Sequence, residues 1–380
     1  MPTLMNIEEA RQVLLSLTEE FEFDSPFDKS RFFAHLFSPA FIMARLLGIR
    51  GPIFLIEADE SQAGKGYAAQ IQSAIYNDRS CVINQQRGGV GSVEESMNEG
   101  LIRGDNFILL DNLTPGNTGT FNSEKICSFT TMNTYTARGF GRKSYLIDPS
   151  GFVIQITTNG CSLSKDLMNR CIPVKIRKKH RYQFRIYEDG GDLLHHIIRN
   201  QPKYYGAGLS IIMDWWRRGK PRTTEIMHES GFTPWVQIMD AIVQYYLGLP
   251  PLLGGYEHIR SRIQSPELQE MRDLSLAARN TEKLDQKLTV TDLLDTAIKN
   301  GTRLSCIPSG INISSLDQDK IKGIRMQMGR FFSHCFNNFG NKDMLTIDGF
   351  KIERLIEKKQ YEGHPAEKDI TYYRFTEIEN

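Results

Sequence analysis

The first half of the chain alternates short apolar runs with stretches of helical periodicity, and this alternation constrains the fold more than any other feature. Between IFLIEA and CVINQ lies AAQIQSAIY, in which apolar residues recur at helical spacing. Before the next run, NFILLDN, Ser92 and Glu95 have the spacing of a capping box, and Gly104 is a typical helix stop. The runs FVIQITTNG and PVKIRK follow. Strands that alternate with helices form a mainly parallel sheet covered on both faces, so the predicted fold class is α/β.

The string DESQAGKG, residues 59–66, follows the first apolar run and precedes the first of these helices. A strand, a short loop with Gly-Lys and a helix, in this order, are the setting of a phosphate-binding loop. Backbone amides at a helix N-terminus bind phosphate oxygens, and the lysine reaches the terminal phosphates. We therefore predict a site for ATP and Mg²⁺. Its cofactor-binding residues are Ala63, Gly64, Lys65, Gly66 and Tyr67.

Two positions of this loop depart from the usual pattern. Asp59 stands where the first glycine is expected, and Gly66 replaces the Ser or Thr whose hydroxyl binds magnesium. Ser61 or Tyr67 would then have to supply the hydroxyl. The competing interpretation is a plain turn between a strand and a helix, but such a turn does not predict an acidic strand at the right distance downstream.

That acidic strand, FILLDN, ends in Asp111 and Asn112. A carboxylate at the C-terminal tip of a neighbouring parallel strand lies where the magnesium of a phosphate loop needs a ligand, so Asp111 is the predicted metal ligand. Asn112 occupies the catalytic position at which a Glu usually polarises the attacking water. Either Glu94 or Glu95 takes that role, or hydrolysis is slow. The alternative for Asn112 is a turn residue.

The composition limits the classes of protein that the chain can belong to. Among 380 residues, 46 Lys and Arg against 45 Asp and Glu give a net charge of +1, so nucleic-acid binding must come from local patches. The six cysteines show no CxxC pair, which disfavours a structural metal or a disulfide framework. No basic leader and no apolar run of about 20 residues is present. We expect a cytoplasmic protein with no membrane segment.

The chain is long enough for two or three folded units. We predict a nucleotide-binding core with an N-terminal helical segment over residues 1–190, and a helical lid over 191–284. Residues 285–380 have the order helix, helix and hairpin of a winged-helix domain. In the N-terminal segment, the apolar pattern from Phe27 to Leu47 predicts helices interrupted at Pro39.

With these motifs in place, the chain resembles AAA+ ATPases, particularly minichromosome-maintenance-like helicases and primase-associated ATPases of prophages and mobile genomic islands. The most specific likeness is ITTNGCSLSKDLMNRCIPVKI, which looks like a sensor strand followed by an arginine-finger segment. By this resemblance, Asn159 orients the attacking water. Arg170 reaches the γ-phosphate held by a neighbouring chain, which implies a homo-oligomer, expected to be a hexamer.

The segment YTARGFGRKSYLID has the composition of a hairpin with a cationic tip. In the resembled group, a hairpin placed just before the sensor strand projects into the ring channel and grips DNA. Arg138, Arg142 and Lys143 are the candidates, and a solvated hairpin is the alternative. In the predicted winged helix, Lys320, Lys322 and Arg325 are candidates for contact with a DNA backbone, although such domains also dock proteins.

Taken together, these features predict an ATPase that forms a ring and translocates or unwinds DNA during replication of a phage or mobile element. The two departures from the usual motifs favour an alternative, a nucleotide-gated assembly, loader or defence-system ATPase with little or no unwinding. A primase or another replication or defence protein is the expected partner. A DNA-binding regulator that uses only the winged helix is a third hypothesis.

Overall fold

The computed structural model describes residues 1–47, 50–58, 60–84, 92–114, 120–139, 143–179, 181–188, 190–228, 230–302, 304–305, 318–359 and 368–378. The chain divides into two compact units, Met1–Gln264 and Ser265–Asn380, each with its own hydrophobic core. The domain boundaries after residues 190 and 284 stay predictions. Among the described residues, no helix combines the length and the apolar content needed to cross a bilayer.

The first unit is built around a six-stranded sheet with the order β1-β10-β2-β8-β4-β3. Every neighbouring pair is parallel except β1 with β10, so the mainly parallel sheet predicted from the sequence is confirmed. Two small pairs, β5 with β9 and β6 with β7, lie outside it. The strands are β1 (Glu22–Phe23), β2 (Ile53–Ala58), β3 (Ser80–Asn84), β4 (Phe107–Leu113), β5 (Thr120–Phe121), β6 (Tyr135–Arg138), β7 (Ser144–Ile147), β8 (Val153–Thr158), β9 (Ser162–Leu163) and β10 (Cys171–Arg177).

Helices cover the sheet and extend the unit beyond it. Ser92 caps the helix after β3 by accepting from the Glu95 amide at 3.3 Å, and Gly104 ends that helix with φ +83°, both as predicted. The helices of this unit are α1 (Ile7–Ser16), α2 (Pro26–Met43), α3 (Lys65–Ile75), α4 (Val93–Arg103), α5 (Glu124–Thr131), α6 (Lys165–Met168), α7 (Leu193–Arg199), α8 (Gln201–Arg217), α9 (Thr233–Leu247) and α10 (Tyr256–Gln264).

The strand order places the carboxyl ends of three strands side by side. β8 lies between β2 and β4, although it follows both in the sequence. Because all three strands are parallel, the residues after Ala58, Leu110 and Thr158 emerge at the same edge of the sheet. Ligand sites in open α/β sheets form at this carboxyl edge. The strand residues behind it, such as Leu55, Leu109 and Ile156, are buried in the core.

Helix α2 runs through Pro39 without interruption, so the predicted break is wrong. Proline has no N–H, which leaves the carbonyl of the residue four positions earlier without its helical donor. That residue is His35, and its carbonyl accepts instead from the side-chain amide of Gln72 on α3. A neighbouring helix therefore supplies the missing hydrogen bond, and the sequence around Pro39 contains no sign of it.

Helices α7, α8 and α9, which we predicted as part of a lid, share one hydrophobic core with the sheet and α2. The Trp235 indole donates to Ser38 Oγ at 2.9 Å, and Trp215 packs edge-on against Phe41 with ring centroids 5.1 Å apart. The Arg31 guanidinium, fully buried on α2, donates to the carbonyls of Leu252 and Gly254 at 2.9 Å each. These contacts fix the helical segment to α2.

The described residues of the second unit form three helices and a three-stranded antiparallel sheet, β11-β12-β13. An additional bridge joins Leu288, just before the second helix, to Tyr373 on the last strand. The second and third helices and the long hairpin agree with the elements predicted for residues 285–380, whereas the first helix falls in the segment predicted as a lid; the winged-helix assignment stays a prediction. The elements are α11 (Pro266–Asn280), α12 (Val290–Lys299), α13 (Gln318–Phe339), β11 (Met344–Ile347), β12 (Phe350–Lys359) and β13 (Lys368–Glu377).

Candidate nucleotide site

The loop after β2 turns into α3 at Gly64, which has φ +93°. A side chain at this position would be strained by the left-handed backbone and would also lie 3.3 Å from the Phe21 ring, so glycine fits both demands. Helix α3 then begins at Lys65, with its first backbone amides facing out of the helix end. The predicted strand, loop and helix are confirmed, except that Asp59 lies outside the described residues.

Lys65 is buried at the carboxyl edge of the sheet, with 6% of its surface exposed. Its ammonium donates to the side-chain oxygen of Asn159, which directly follows β8. Burial lowers the pKa of Lys65, and the carboxylates of Asp111 and Glu57 oppose part of that shift. A desolvated ammonium with an amide partner is a strong binder of an anion, because phosphate oxygens would restore the charge interactions that water no longer provides.

Asp111 lies on the neighbouring strand β4, and Oδ1 of its carboxylate accepts from the Thr157 hydroxyl at 2.5 Å. The same oxygen is 3.9 Å from the point where a side chain at position 66 would place its Cβ. Position 66 and Asp111 therefore face each other across the loop. A hydroxyl at position 66 would lie beside the carboxylate, and the glycine leaves that space open.

Asn112 is the left-handed residue of an irregularity in β4, with φ +51°. Asparagine tolerates this backbone better than most residues. Its backbone amide donates to the Thr157 hydroxyl at 2.8 Å, and its side-chain amide donates to Asp111 Oδ2 at 3.1 Å. Asn112 thus holds the Asp111 carboxylate in position, which gives it a structural reason to be asparagine.

Glu94, one of the two acids considered as a replacement base, is engaged in a contact between α4 and α5. It accepts from the Ser123 hydroxyl at 2.6 Å and pairs with the Lys125 ammonium at 3.0 Å. Burial alone would raise the pKa of Glu94. The two partners together lower it by more than burial raises it, so its pKa lies below the ordinary value. A carboxylate held in its ionised form by two partners is a weak proton acceptor.

Tyr67 was predicted to contact the cofactor and to serve as a possible source of the magnesium hydroxyl. Its hydroxyl accepts from the Leu194 amide at the start of α7, at 2.6 Å, and it interacts with Asp192. Its ring lies 6.3 Å from that of Phe21. Tyr67 therefore links the phosphate loop to the helical segment. Ser61, the other candidate for the hydroxyl, is exposed.

Arg170 lies at the opposite edge of the sheet. Its carbonyl accepts from the Ile53 amide at 2.7 Å, at the amino end of β2, whereas Lys65 follows the carboxyl end. Six strand residues at roughly 3.3 Å each separate the two ends by about 20 Å, which is much longer than an arginine side chain. The guanidinium bonds to the Asp166 carboxylate and to the Cys127 carbonyl. It lines an open cavity of about 740 Å³ together with Arg45 and Arg50.

The predicted hairpin is present as β6 and β7, paired from Tyr135 with Ile147 to Arg138 with Ser144. It is attached to α4, because Asn98 donates to the Arg138 carbonyl at 3.3 Å and accepts from the Tyr135 hydroxyl at 3.0 Å. Arg138 and Lys143 are exposed, and Arg142 lies outside the described residues. Tyr145 and Leu146 are exposed on the second strand, at 45% and 72%.

Two residues of the site were not anticipated. Thr157 bonds both Asp111 and the Asn112 amide, and its position two residues before Asn159 on a neighbouring parallel strand is the signal that could have identified it. Phe21, which packs on Gly64 and Tyr67, comes from a segment more than 40 residues earlier. No local pattern in the sequence connects it with the loop.

No model of a protein family matches the chain, and no curated protein matches it. Among solved structures, the chain is similar to one described as "SCCmec type IV Cch - active helicase". The similarity covers 99% of this chain and 70% of that chain, with a TM-score of 0.37 and 9% sequence identity. Since so distant a likeness carries no functional argument, any function must be inferred from the geometry of the site.

Proposed function

We propose that the chain is an ATPase that binds ATP and Mg²⁺ at the carboxyl edge of its parallel sheet. The observation that carries the proposal is that Lys65, Asp111 and Asn159 meet at the carboxyl edge of three adjacent strands, β2, β8 and β4. Lys65 is hydrogen-bonded to Asn159. A lysine for phosphate oxygens, a carboxylate for a metal and an amide for a water molecule are the groups that phosphoryl transfer requires. Helix α3 adds its N-terminal amides.

The residues present fit a magnesium ion. Mg²⁺ binds through one or two carboxylates, substrate phosphates and several waters, and Asp111 offers a carboxylate beside the phosphate loop. Its orientation is fixed by Thr157 and Asn112. When bound, the ion neutralises negative charge on the phosphates. Lys65 would contact the terminal phosphates and would then no longer bond to Asn159. The freed Asn159 amide would orient the attacking water.

Replacing Gly66 with serine is expected to raise the affinity for Mg²⁺-ATP several-fold, by about 1 kcal/mol for one added ligand hydroxyl. The new Cβ meets no atom closer than 3.9 Å, so the side chain fits beside Asp111. Titration calorimetry with and without Mg²⁺ measures the effect. Gly66→Ala is the matched control, because it adds the same Cβ and also raises helix propensity, but carries no hydroxyl. Equal affinities of the two variants would exclude metal binding at this position.

We further propose that the active form is a homo-oligomeric ring, expected to be a hexamer. Support comes from the distance of about 20 Å between Arg170 and the phosphate loop of its own chain, which means that only a neighbouring chain can bring the guanidinium to a phosphate. The open cavity beside Arg170 leaves room for a neighbour. A head-to-tail interface of this kind closes into a ring when its rotation permits.

DNA is the proposed substrate of the motor, and replication of a phage or mobile element is the proposed role. The hairpin supports this, because Arg138 and Lys143 are exposed next to the exposed ring of Tyr145. Cations bind the phosphate backbone, and an aromatic ring stacks on bases of a single strand. A primase or another replication or defence protein would recruit the ring.

The test is ATP hydrolysis by purified protein with Mg²⁺, alone and with single- or double-stranded DNA. We expect turnover that rises with DNA and falls by about 10²-fold or more in Lys65→Ala, the usual scale for losing one charge-stabilising donor. Lys203→Ala is the matched control, since it removes an exposed lysine on α8 that belongs to no part of the proposed site. Turnover that is unaffected by Lys65→Ala would refute the proposed site.

A second candidate function is a nucleotide-gated assembly, loader or defence-system ATPase with little turnover. It is favoured by the absence of a hydroxyl at Gly66, the structural role of Asn112 and the two partners of Glu94. For this function, ATP binding would drive assembly, while hydrolysis would stay slow with or without DNA. The same assay distinguishes the two functions.

A further inference from the structure

Helix α8 ends in a cluster of cations on the surface of the first unit. Four of the six residues at positions 217–222 are basic and exposed: Arg217, Arg218, Lys220 and Arg222. The acids nearest in sequence are Asp214, which pairs with Arg218, and Glu225. No ion pair is found for the other three cations among the side chains that the structure describes. Four cations against two acids leave residues 214–225 with a surplus of positive charge, which is complementary to a polyanion.

The end of the helix accounts for only two of these cations. Arg217 and Arg218 lie at the C-terminus of α8, where the helix dipole favours positive charge. Lys220 lies beyond the helix, and its φ is +61°, a left-handed backbone that suits glycine or asparagine better than lysine. A lysine held in this conformation indicates that its side chain has a role that offsets the backbone strain.

The turn after α8 is held in one conformation by hydrogen bonds to the helices. The buried Trp215 indole donates to the Pro221 carbonyl at 2.9 Å, and the Lys220 amide donates to the Trp215 carbonyl at 3.0 Å. The Thr223 amide donates to the Gln237 carbonyl on α9 at 3.1 Å. The cations are therefore presented on a fixed backbone, so that less conformational freedom is lost when a ligand binds.

Trp216 adds an exposed aromatic ring to the cations. The Lys220 ammonium lies 3.7 Å from the centre of this ring, in a cation–π contact. Trp216 is nevertheless 48% exposed, whereas Trp215 and Trp235 are buried. An indole that has a cation on one face and is open elsewhere can stack on an unpaired base, while the surrounding cations contact the flanking phosphates.

From these observations we propose that the end of α8 binds single-stranded DNA, with a base stacked on Trp216 and phosphates held by Arg217, Lys220 and Arg222. The proposal rests on the proposed function in taking DNA as the substrate, but this surface is formed by other residues than the hairpin and needs no nucleotide. Duplex DNA is disfavoured, because its bases are already stacked on one another. A membrane surface is disfavoured too, because interfacial segments present a continuous apolar face, whereas the exposed large apolar side chains of the described residues 214–228 are Trp216 and Ile226.

The experiment follows the tryptophan fluorescence of the full chain, without nucleotide, as a short oligo-dT strand is added. Trp216 is the exposed one of three tryptophans, so stacking should quench its emission. Anisotropy of a labelled strand measures the affinity, which we expect to fall about tenfold in Trp216→Ala, the scale of one lost base stack. Trp216→Phe keeps a ring and should retain most of the affinity while the quenching disappears. Lys203→Ala, exposed near the other end of α8, is the control and should bind as the wild type does.

Two further variants test the charges. The double variant Arg217→Ala, Arg222→Ala should reduce the slope of log affinity against log salt by about 1.4, because each phosphate contact of a single strand contributes about 0.7. Lys220→Gly should keep or raise the melting temperature, since glycine fits the left-handed backbone, whereas its affinity for the strand should fall several-fold. Weaker binding by a variant that is no less stable would show that the strained lysine serves the ligand.

Both measurements are made without nucleotide, so Lys65→Ala should leave them unchanged, and failure of this proposal is distinguishable from failure of the proposed ATPase. Tyr145→Ala separates this surface from the hairpin, because the quenching of Trp216 should persist in that variant. The proposal is overturned if oligo-dT causes no quenching, if Trp216→Ala binds like the wild type, or if a duplex of the same length binds more tightly. It is also overturned if vesicles containing anionic lipid quench Trp216 and the strand does not.

Discussion

Replacing Arg170 with alanine is expected to lower ATP turnover by about 10³-fold or more while leaving ATP binding to the chain unchanged. The guanidinium lies at the sheet edge opposite Lys65, so it cannot contact a nucleotide bound to its own chain. It would act on the γ-phosphate of a neighbour, where it neutralises charge that develops only during transfer. Steady-state hydrolysis and binding of a fluorescent ATP analogue measure the two effects separately.

Arg45→Ala is the matched control, because Arg45 lines the same cavity but is an exposed arginine paired with Asp148. A sharper test mixes two inactive variants, Arg170→Ala and Asp111→Asn. In a mixed ring, the nucleotide site of an Arg170→Ala chain keeps its Asp111. When its neighbour is an Asp111→Asn chain, that neighbour supplies an intact Arg170 to the site, so activity should return. If mixing restores nothing, Arg170 does not act between chains, and its bonds to Asp166 and Cys127 are then its whole role.

Replacing Arg31 with methionine is expected to lower the free energy of unfolding of the first unit by about 3–5 kcal/mol, the usual cost of breaking a buried ion pair. Arg31 and Asp28 are both fully buried and 2.8 Å apart. The substitution leaves the Asp28 carboxylate without its countercharge and removes the donors to the carbonyls of Leu252 and Gly254. Methionine fills a similar volume, which keeps the contribution of a cavity small.

Urea unfolding followed by tryptophan fluorescence measures this loss selectively, because all three tryptophans, Trp215, Trp216 and Trp235, belong to the first unit. In the double variant Arg31→Met, Asp28→Asn, part of the loss should be recovered, since no uncompensated charge remains. The exposed pair of Arg45 with Asp148 provides the comparison, and Arg45→Ala should cost less than about 1 kcal/mol. A similarly small cost for Arg31→Met would show that the buried pair does not hold the helical segment in place.

Local patterns predict the elements of the fold, because the periodicity of a strand or a helix depends on consecutive residues. The strands ending near Asp111 and Asn159, the cap at Ser92 and the stop at Gly104 all follow from neighbours in the sequence. Pro39 shows where such reasoning fails. The rule that proline breaks a helix assumes that the orphaned carbonyl finds no partner, and here the partner, Gln72, comes from a different helix.

In the candidate site, too, the local sequence predicts where residues lie but not which partners they contact. The prediction of Lys65 rests on its position after β2 and that of Asp111 on its place near the carboxyl end of β4, and the sheet order places these two strand ends on either side of β8. The reason for asparagine at position 112 could not be foreseen, because it depends on a positive φ and on the Thr157 hydroxyl of a neighbouring strand. Tyr67 has a suitable hydroxyl in the sequence, but folding directs it to the Leu194 amide. Contacts between distant segments decide these roles.

The side chain of Gln72 joins more than the two helices at Pro39. While its amide donates to the His35 carbonyl, its own carbonyl accepts from Gln155 in the middle of β8, whose amide also reaches the Ala69 carbonyl at 3.2 Å. Helix α3, which begins with Lys65, is thus clamped to α2 on one side and to the strand carrying Asn159 on the other. Phosphates that bind at the start of α3 would therefore act on a helix that is hydrogen-bonded to both α2 and β8, so we expect α3 to move together with these two elements.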